Sequence, residues 1–462
     1  MQKVLVLGAG RVASPLVRDL LDHDLDVTVT SLDVSGAEQM IAGHPHGHPL
    51  FLDLDDAETI SSLVAAADLV VSLLPFTFHP RVAKLCLEHR RHLVTASYVS
   101  PEMAAMDAEA RDKDLLFLNE IGLDPGIDHM SAMSVIDGVR ETGGEVVHFR
   151  SYCGGLVAPE SNDNPFGYKF SWAPRGVLLA SRNSASYRED GHIVRVPGSE
   201  LFRDIHLVRV AGAGDFEAYP NRDSLEYESI YGLGGGLQTL FRGTLRSVGW
   251  CDTMHNFGCL GLLSSESRPA KGLTCAEYLA ELVEAKPGED LRGAVAQRLG
   301  IPVDSLPLHN LAWLGMTSDR PVGHDAVSPL DLLGDIMLEK LVFGPDERDM
   351  VVLFHDFKVR YPEQDRYERI TSTLITCGEV GGDSAMSRTV SLPAAGAVRL
   401  ILAGRVPQRG VARPVHPEIY RPILDELAGS GIECREESTS LETLSERKAS
   451  DGCQEKAKQT DE

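Results

Sequence analysis

Residues 4–13 read Val-Leu-Val-Leu-Gly-Ala-Gly-Arg-Val-Ala, and this stretch decides the fold. Four consecutive apolar residues, Val4 to Leu7, read as a strand buried on both faces, as in a parallel sheet. The run breaks into Gly-Ala-Gly and passes into a helical pattern from about Arg11 to Leu21. Gly8 allows the tight turn, Gly10 lets a pyrophosphate approach the backbone, and Ala13 permits close helix–strand packing. The helix aims its free N–H groups at that phosphate. A strand before the motif and a helix after it are what a dinucleotide site requires.

Working outward, β and α patterns alternate for about 120 residues. Strands are expected at Asp26–Thr30, Leu50–Leu54, Asp68–Leu74, His92–Tyr98 and Leu115–Asn119. Helices are expected at Ala57–Ala67, Arg81–His89 and Pro101–Lys113. Strict alternation means an α/β fold with a doubly wound parallel sheet, a Rossmann domain at residues 1–125. The second strand ends near Ser31, Leu32 and Asp33, where such folds place an acid for the ribose hydroxyls or a base for a 2′-phosphate. The stretch His44-Pro45-His46-Gly47-His48-Pro49 reads as a solvated turn, because no carboxylate or cysteine stands at ligand spacing.

The totals bound the function class. A chain of 462 residues exceeds one ordinary core. With 43% hydrophobic and 24% charged residues it reads as a globular protein. A net charge of −24 argues against nucleic acid and anionic membrane as partners, and no apolar run reaches membrane-span length. The first strand begins almost at once, which leaves no room for a signal peptide. The eight cysteines are scattered, form no CxxC and show no zinc spacing, so no metal is expected. Reduced thiols and a cytoplasmic location follow.

From Glu145 the texture changes. Glu145–Tyr152 reads as a strand ending at Cys153-Gly154-Gly155. A long polar stretch from Ser161 to Gly176 carries aromatics that anchor it. Tyr219–Asp223 and Arg242–Arg246 present cationic groups in turns. Residues 252–329 read as a small helical domain, with Cys275–Glu284 and Leu291–Leu299 its clearest helices. Strands return at Met350–Tyr361 and Arg369–Thr376, expected to pair antiparallel. Residues 126–251 and 330–404 thus form an α/β substrate domain with an antiparallel-rich sheet. Ala394–Leu402 and Glu418–Leu427 are helices, and the tail 435–462 reads as disordered.

Ligands in a doubly wound fold bind at the carboxyl ends of the strands. Pro75, Ser97-Tyr98 and the loop Asn119–His129 follow such ends. Asp124 and Tyr98 are expected to face the nicotinamide crevice, and Asp128 with His129 to serve structure, Asp128 as a helix cap.

The motifs LPFTFHP (74–80), SYVSP (97–101), NEIGLDPGIDH (119–129), the segment 151–180, YPNRDS (219–224), RGTLRSVGW (242–250) and ERDMVVL (347–353) resemble the glutamate-forming saccharopine dehydrogenases, the saccharopine reductases of the α-aminoadipate pathway of lysine metabolism. Order and spacing agree from residue 1 to about 434. The resemblance implies a Rossmann domain, a substrate domain and a small helical domain, with 405–434 packing back on the first. It implies hydride transfer between NADP(H) and the carbon of an imine formed from L-glutamate and α-aminoadipate semialdehyde, giving saccharopine. It also implies that Ser97, Tyr98, Asp124, Arg222 and Thr244-Leu245-Arg246 contact substrate. Ala9, Gly10, Arg11 and Val12 then hold the pyrophosphate, Asp53 and Leu54 lie by the adenine, and Ser97 lies near the nicotinamide. Arg222 and Arg246 suit a polycarboxylate, because a guanidinium grips a carboxylate bidentately.

Imine formation needs proton transfers. Asp124 and Tyr98 are the candidate catalytic groups, with Cys153 and Lys169 behind them. One departure concerns the cofactor. Where the family carries a basic residue, this chain has Leu32 and Asp33, with Arg11 the nearest cation, which leaves NAD(H) open beside NADP(H). The alternatives are a related imine-reducing enzyme, such as a carboxynorspermidine synthase or lysine 6-dehydrogenase, and a dinucleotide-binding regulator without catalysis. Small-molecule partners and a homodimer complete the expectation.

Overall fold

The computed structural model describes residues 1–441 except 173 and 287. The first strands are β1 (Lys3–Leu7), β2 (Asp26–Ser31), β3 (Gly47–Phe51), β4 (Leu69–Ser72), β5 (His92–Val94) and β6 (Leu116–Leu118). The helices among them are α1 (Ser14–Asp22), α2 (Val34–Ile41), α3 (Ala57–Ala66), α4 (His79–His89), α5 (Pro101–Ala104) and α6 (Asp107–Asp112). All neighbouring strands here pair in parallel, and the order β3-β2-β1-β4-β5-β6 is that of a Rossmann sheet. Apolar residues alternate between its faces. Val4, Val6, Val27 and Val29 join one buried cluster, and Leu5, Leu7, Val70 and Leu93 join another under α3 and α4.

After α7 (Ile127–Glu141) the chain builds a second sheet. Its strands are β7 (Glu145–Val157), then, beyond α8 (Pro174–Ala180), the hairpin β8 (Ala185–Glu189) and β9 (His192–Val196), followed by β10 (His206–Val210) and β11 (Gly214–Pro220). Helix α9 (Glu226–Ile230) leads to β12 (Thr239–Ser247). A helical cluster follows, made of α10 (Trp250–Cys259), α11 (Cys275–Leu282), α12 (Leu291–Leu299), α13 (Leu306–Leu314) and α14 (Pro329–Lys340). It carries a two-residue pairing of β13 (Arg268–Pro269) with β14 (Ala326–Val327). The sheet resumes with β15 (Asp349–Tyr361) and β16 (Arg366–Cys377), an antiparallel pair as expected. The described residues end through α15 (Ala385–Leu402), β17 (Gly410–Ala412), α16 (Pro417–Gly429) and β18 (Arg435–Leu441). The large sheet runs β10-β11-β12-β7-β15-β16-β18, and β8 pairs with β12 and β9 off that path. Aromatic and aliphatic residues of β7 and β15 bury one face against the helical cluster, including Tyr152, Leu156 and Val352. The other face carries Phe149, Leu353 and Phe357 toward α7 and the Rossmann sheet.

Several expectations are corrected. The first helix starts at Ser14 rather than Arg11, leaving Gly8 to Ala13 as a loop. Strand β3 lies three residues earlier than expected and takes in Gly47-His48-Pro49 of the histidine stretch. It is an edge strand, where a proline is tolerated and no buried face imposes a pattern; Leu50 and Phe51 are exposed. Residues 101–113 divide into two short helices at Ala105-Met106. Strand β7 continues through Cys153-Gly154-Gly155 to Val157, since β12 and β15 flank it on both sides. Arg242 to Arg246 is a strand, not a turn. Helix α15 begins at Ala385 rather than Ala394 and packs on α1. Strand β17 extends the Rossmann sheet in parallel beside β6. Arg435–Leu441, expected as disordered, pairs antiparallel with β16; residues 442–462, with Cys453, lie outside the described residues.

Candidate active site

The carboxyl ends of β1 and β4 carry a cradle without side chains. Gly8 adopts φ +107°, and a Cβ there would stand 3.2 Å from the Leu73 carbonyl oxygen. At Gly10 a Cβ would meet nothing within 4 Å, so this backbone faces open space. Helix α1 follows with no side-chain cap, which leaves its first N–H groups for an anion. Ala13 is fully buried, as helix–strand contact demands. These residues fit a dinucleotide pyrophosphate, with Ala9 and Val12 in the same loop.

The adenosine end is more polar. Asp33 caps α2, accepting from the Ser35 amide at 3.0 Å and its hydroxyl at 2.7 Å, and those bonds lower its pKa. Ser31 Oγ accepts from the Asp33 amide, and Leu32 is exposed. Asp53 accepts from the Asp55 amide in the turn after β3, with Leu54 half-buried beside it. Pro75 is exposed after β4. Arg11 reaches away from β2: its Nη1 stands 3.5 Å from the Phe170 carbonyl oxygen.

The loop after β5 presents Ser97 and Tyr98. Behind Ser97 lies His79, 2% exposed, with Nε2 2.7 Å from Ser97 Oγ and Nδ1 2.9 Å from Ser72 Oγ. Burial pulls the His79 pKa down to about 4, so the imidazole is neutral and orients the hydroxyl.

The Tyr98 hydroxyl donates to Asp124 Oδ1 at 2.9 Å. Arg242 Nη2 donates to the same oxygen at 2.7 Å and also to Asp128 Oδ2. Two carboxylates thus share one guanidinium nitrogen, and their environments separate them. Asp124 keeps 15% of its side chain exposed, and burial raises its pKa against the lowering pull of Arg242. Asp128 is 1% exposed; burial is outweighed by His129, Arg242 and the Gly126 amide, so it stays charged. Asp124 is the reachable, protonatable member of the pair. Burial, then the Asp124 charge, pushes the Tyr98 phenol up. Arg222 lies over the Tyr98 ring, 3.2 Å from its centroid, as a stacked cation.

Strand periodicity places Arg242, Thr244 and Arg246 on one face of β12. Leu245 points the other way and is fully buried, so its side chain is core. Arg246 is 4% exposed, against Tyr168 (5.0 Å to centroid) and Trp250 (5.6 Å). Arg242 Nη1, Arg246 Nε, Tyr168 Oη and Trp250 Nε1 are buried without a hydrogen-bond partner among the described residues. Such donors call for an acceptor from outside the chain. Tyr168 belongs to the long polar stretch, which Phe166, Tyr168 and Phe170 do anchor.

The secondary proton-transfer candidates fare differently. Cys153 is buried near Asp124, Asp128, Arg242 and Arg246, and burial holds its thiol well above the usual range. Lys169 is paired with Glu347 and with Asp163 at 2.8 Å, which keep it charged against burial. Neither is a ready base. Sequence reasoning missed Arg242, His79 and Glu120. Alternation at 242, 244 and 246 was the signal for Arg242; nothing local marked the other two. Asp128, expected as the helix cap, lies inside the first turn of α7, whose N-cap is Gly126 with no side-chain cap; its Oδ1 accepts from the Gly126 amide, and it anchors the buried charge cluster.

Comparison with known proteins gives the family. Residues 4–118 match the family model described as saccharopine dehydrogenase NADP binding domain, and residues 122–432 the saccharopine dehydrogenase C-terminal domain. The saccharopine dehydrogenase [NADP(+), L-glutamate-forming] of Pyricularia oryzae is 39% identical over 94% of this chain and 98% of its own. The mitochondrial alpha-aminoadipic semialdehyde synthase of Mus musculus is 39% identical over 95% of this chain, which spans 48% of that larger protein. The apo saccharopine dehydrogenase (L-Glu forming) of Saccharomyces cerevisiae superposes with a TM-score of 0.85 at 36% identity, covering 95% of this chain and 100% of that one. A Rossmann sheet, a second mixed sheet and two matched domains together place this chain in the saccharopine dehydrogenase family.

Proposed function

We propose that this chain is an oxidoreductase that interconverts saccharopine with L-glutamate and α-aminoadipate semialdehyde, using NADP(H). The observation that carries this reading is the set of buried, unpartnered donors on Arg242 and Arg246 beside the Tyr98–Asp124 pair. A substrate with several carboxylates satisfies them; a diamine does not. The NADP binding model over residues 4–118 supports NADP(H). Asp33 uses one carboxylate oxygen to cap α2.

NADP(H), when bound, supplies or accepts the hydride at the imine carbon. Arg222 and Arg246 hold substrate carboxylates, and Thr244 lines the strand between Arg242 and Arg246. Ser97, oriented by His79, supports the nicotinamide end. Asp124, the protonatable carboxylate, takes the proton from the substrate nitrogen or from the water that attacks the imine, and Tyr98 carries it through their hydrogen bond.

Saccharopine-dependent reduction of NADP, and separately of NAD, followed by the absorbance of the reduced cofactor, tests the proposal. Turnover with NADP is the expected result. Absence of turnover in protein that binds NADPH would overturn the substrate assignment. Location and assembly belong to the same proposal. The described cysteines are free thiols, which supports a reducing cytoplasm. No described helix is long and apolar enough to cross a membrane. A homodimer is expected, and light scattering measures it.

A further inference from the structure

Glu120 lies in the loop after β6, four residues before Asp124, and among the described residues it makes no hydrogen bond to Tyr98 or Asp124. Its side chain is 1% exposed and its backbone holds φ +58°, a left-handed conformation that a glutamate rarely adopts. What this conformation achieves is a two-sided grip on the neighbouring loop. The Glu120 amide donates to the Ser97 carbonyl at 3.1 Å, and its Oε1 accepts from the Val99 amide at 3.0 Å. The residue between those contacts is Tyr98.

The carboxylate collects further donors from distant parts of the chain. Arg413, on the segment that returns after β17, donates Nε to Oε1 at 2.7 Å. His129 Nε2 stands 2.9 Å from Oε2, and the Tyr227 hydroxyl 3.5 Å from it. Burial alone would raise this carboxyl, yet His129, Arg413 and the Val99 amide bring it down to about 2. It is a fixed charge at working pH.

We infer that Glu120 is a positioning residue that sets the distance between Tyr98 and Asp124 by clamping the Ser97–Val99 turn. The inference rests on the proposed role of the Tyr98–Asp124 pair. It extends that role to a residue outside the site and to the C-terminal segment through Arg413. Replacing the carboxylate by an amide leaves volume intact and turns one acceptor into a donor, which frees the Val99 or His129 contact.

The test is a double-mutant cycle on the full chain with saccharopine and NADP, using E120Q, Y98F and the double variant. We expect E120Q to lower kcat about tenfold or more, with NADPH affinity by fluorescence within about twofold, and to add no further loss in the Y98F background. Multiplying losses would overturn the inference, because Glu120 would then act independently of Tyr98. Wild-type turnover by Y98F would overturn the proton-pair reading itself, and the inference with it. Should E120Q not fold, R413Q decides. Arg413 is itself partly exposed, and the expected several-fold loss of kcat in R413Q also vanishes in Y98F; wild-type kcat or a persisting loss would overturn the inference.

Discussion

Tyr98 and Asp124, on loops after adjacent parallel strands, are joined by a 2.9 Å hydrogen bond whose acceptor oxygen is also held by Arg242. The pair has one member that burial makes protonatable and one phenol that stays neutral. As the proposed base in saccharopine oxidation, Asp124 has to be ionised to take a proton. Activity should therefore fall as pH drops through its raised pKa. D124N should lower kcat by about 10²–10⁴-fold and abolish that acid limb. Full kcat with only a higher KM would make Asp124 a binding group.

Gly10 separates binding from folding. A Cβ there meets no protein atom within 4 Å, so G10A should keep the unfolding free energy within about 0.5 kcal/mol of wild type. It should nevertheless weaken NADPH binding strongly, because the side chain fills the space meant for pyrophosphate. Urea unfolding and fluorescence titration read the two effects. Equal NADPH affinity would remove Gly10 from the cofactor site.

Arg242 is buried with two carboxylates. R242M should cost about 3–5 kcal/mol in urea unfolding, because it strands the Asp128 charge in the interior. Adding D128N should recover part of that loss. A double variant no more stable than R242M would show that Asp128 is not what makes the single change costly.

His79 and His355 are both buried, and burial lowers each pKa from 6.5 to about 4. Between those values the unfolded chain binds the extra protons. Stability should then rise with pH across that window, by up to about 1.4 kcal/mol per pH unit for each histidine. Replacing His355 by Gln should flatten the profile by one proton's slope. His355 Nε2 is 2.8 Å from Ser131 Oγ, so a loss at all pH is also expected from that bond. An unchanged slope between pH 4 and 6.5 would contradict the assignment.

Strand β18 covers the outer edge of β16 with an exposed, acidic face. Ending the chain at Cys434 uncovers that ladder, and light scattering should show self-association rising with concentration. A truncated chain with unchanged mass at every concentration would show that the edge needs no cover.

The sequence was legible where a pattern is local. Strand-turn-helix order around Gly8 to Ala13, the β-α alternation and the antiparallel pair at 349–377 all follow from periodicity and turn residues, and the Rossmann sheet is built that way. It misled where a residue's surroundings come from elsewhere. Edge strand β3 carries no buried face to imprint a pattern, and β17 has three residues, too few for a period. Arg242 read as a turn cation because its strand is defined by β7 and β11 on either side.

By itself, then, the sequence determined the fold class and the strand-turn-helix order around Gly8 to Ala13, and it placed Tyr98 and Asp124 after strand ends, while Arg222 and Arg246 were chosen on the family resemblance. These depend on residue types and on spacing along the chain. Tertiary structure alone decided that Asp124 and Asp128 share Arg242, that Arg11 turns toward Phe170, that Leu245 is core, and that Glu120 clamps the Tyr98 turn. Charge state and orientation at these positions arise from desolvation and from partners up to 293 residues away, as with Arg413 and Glu120, and no local pattern carries that information.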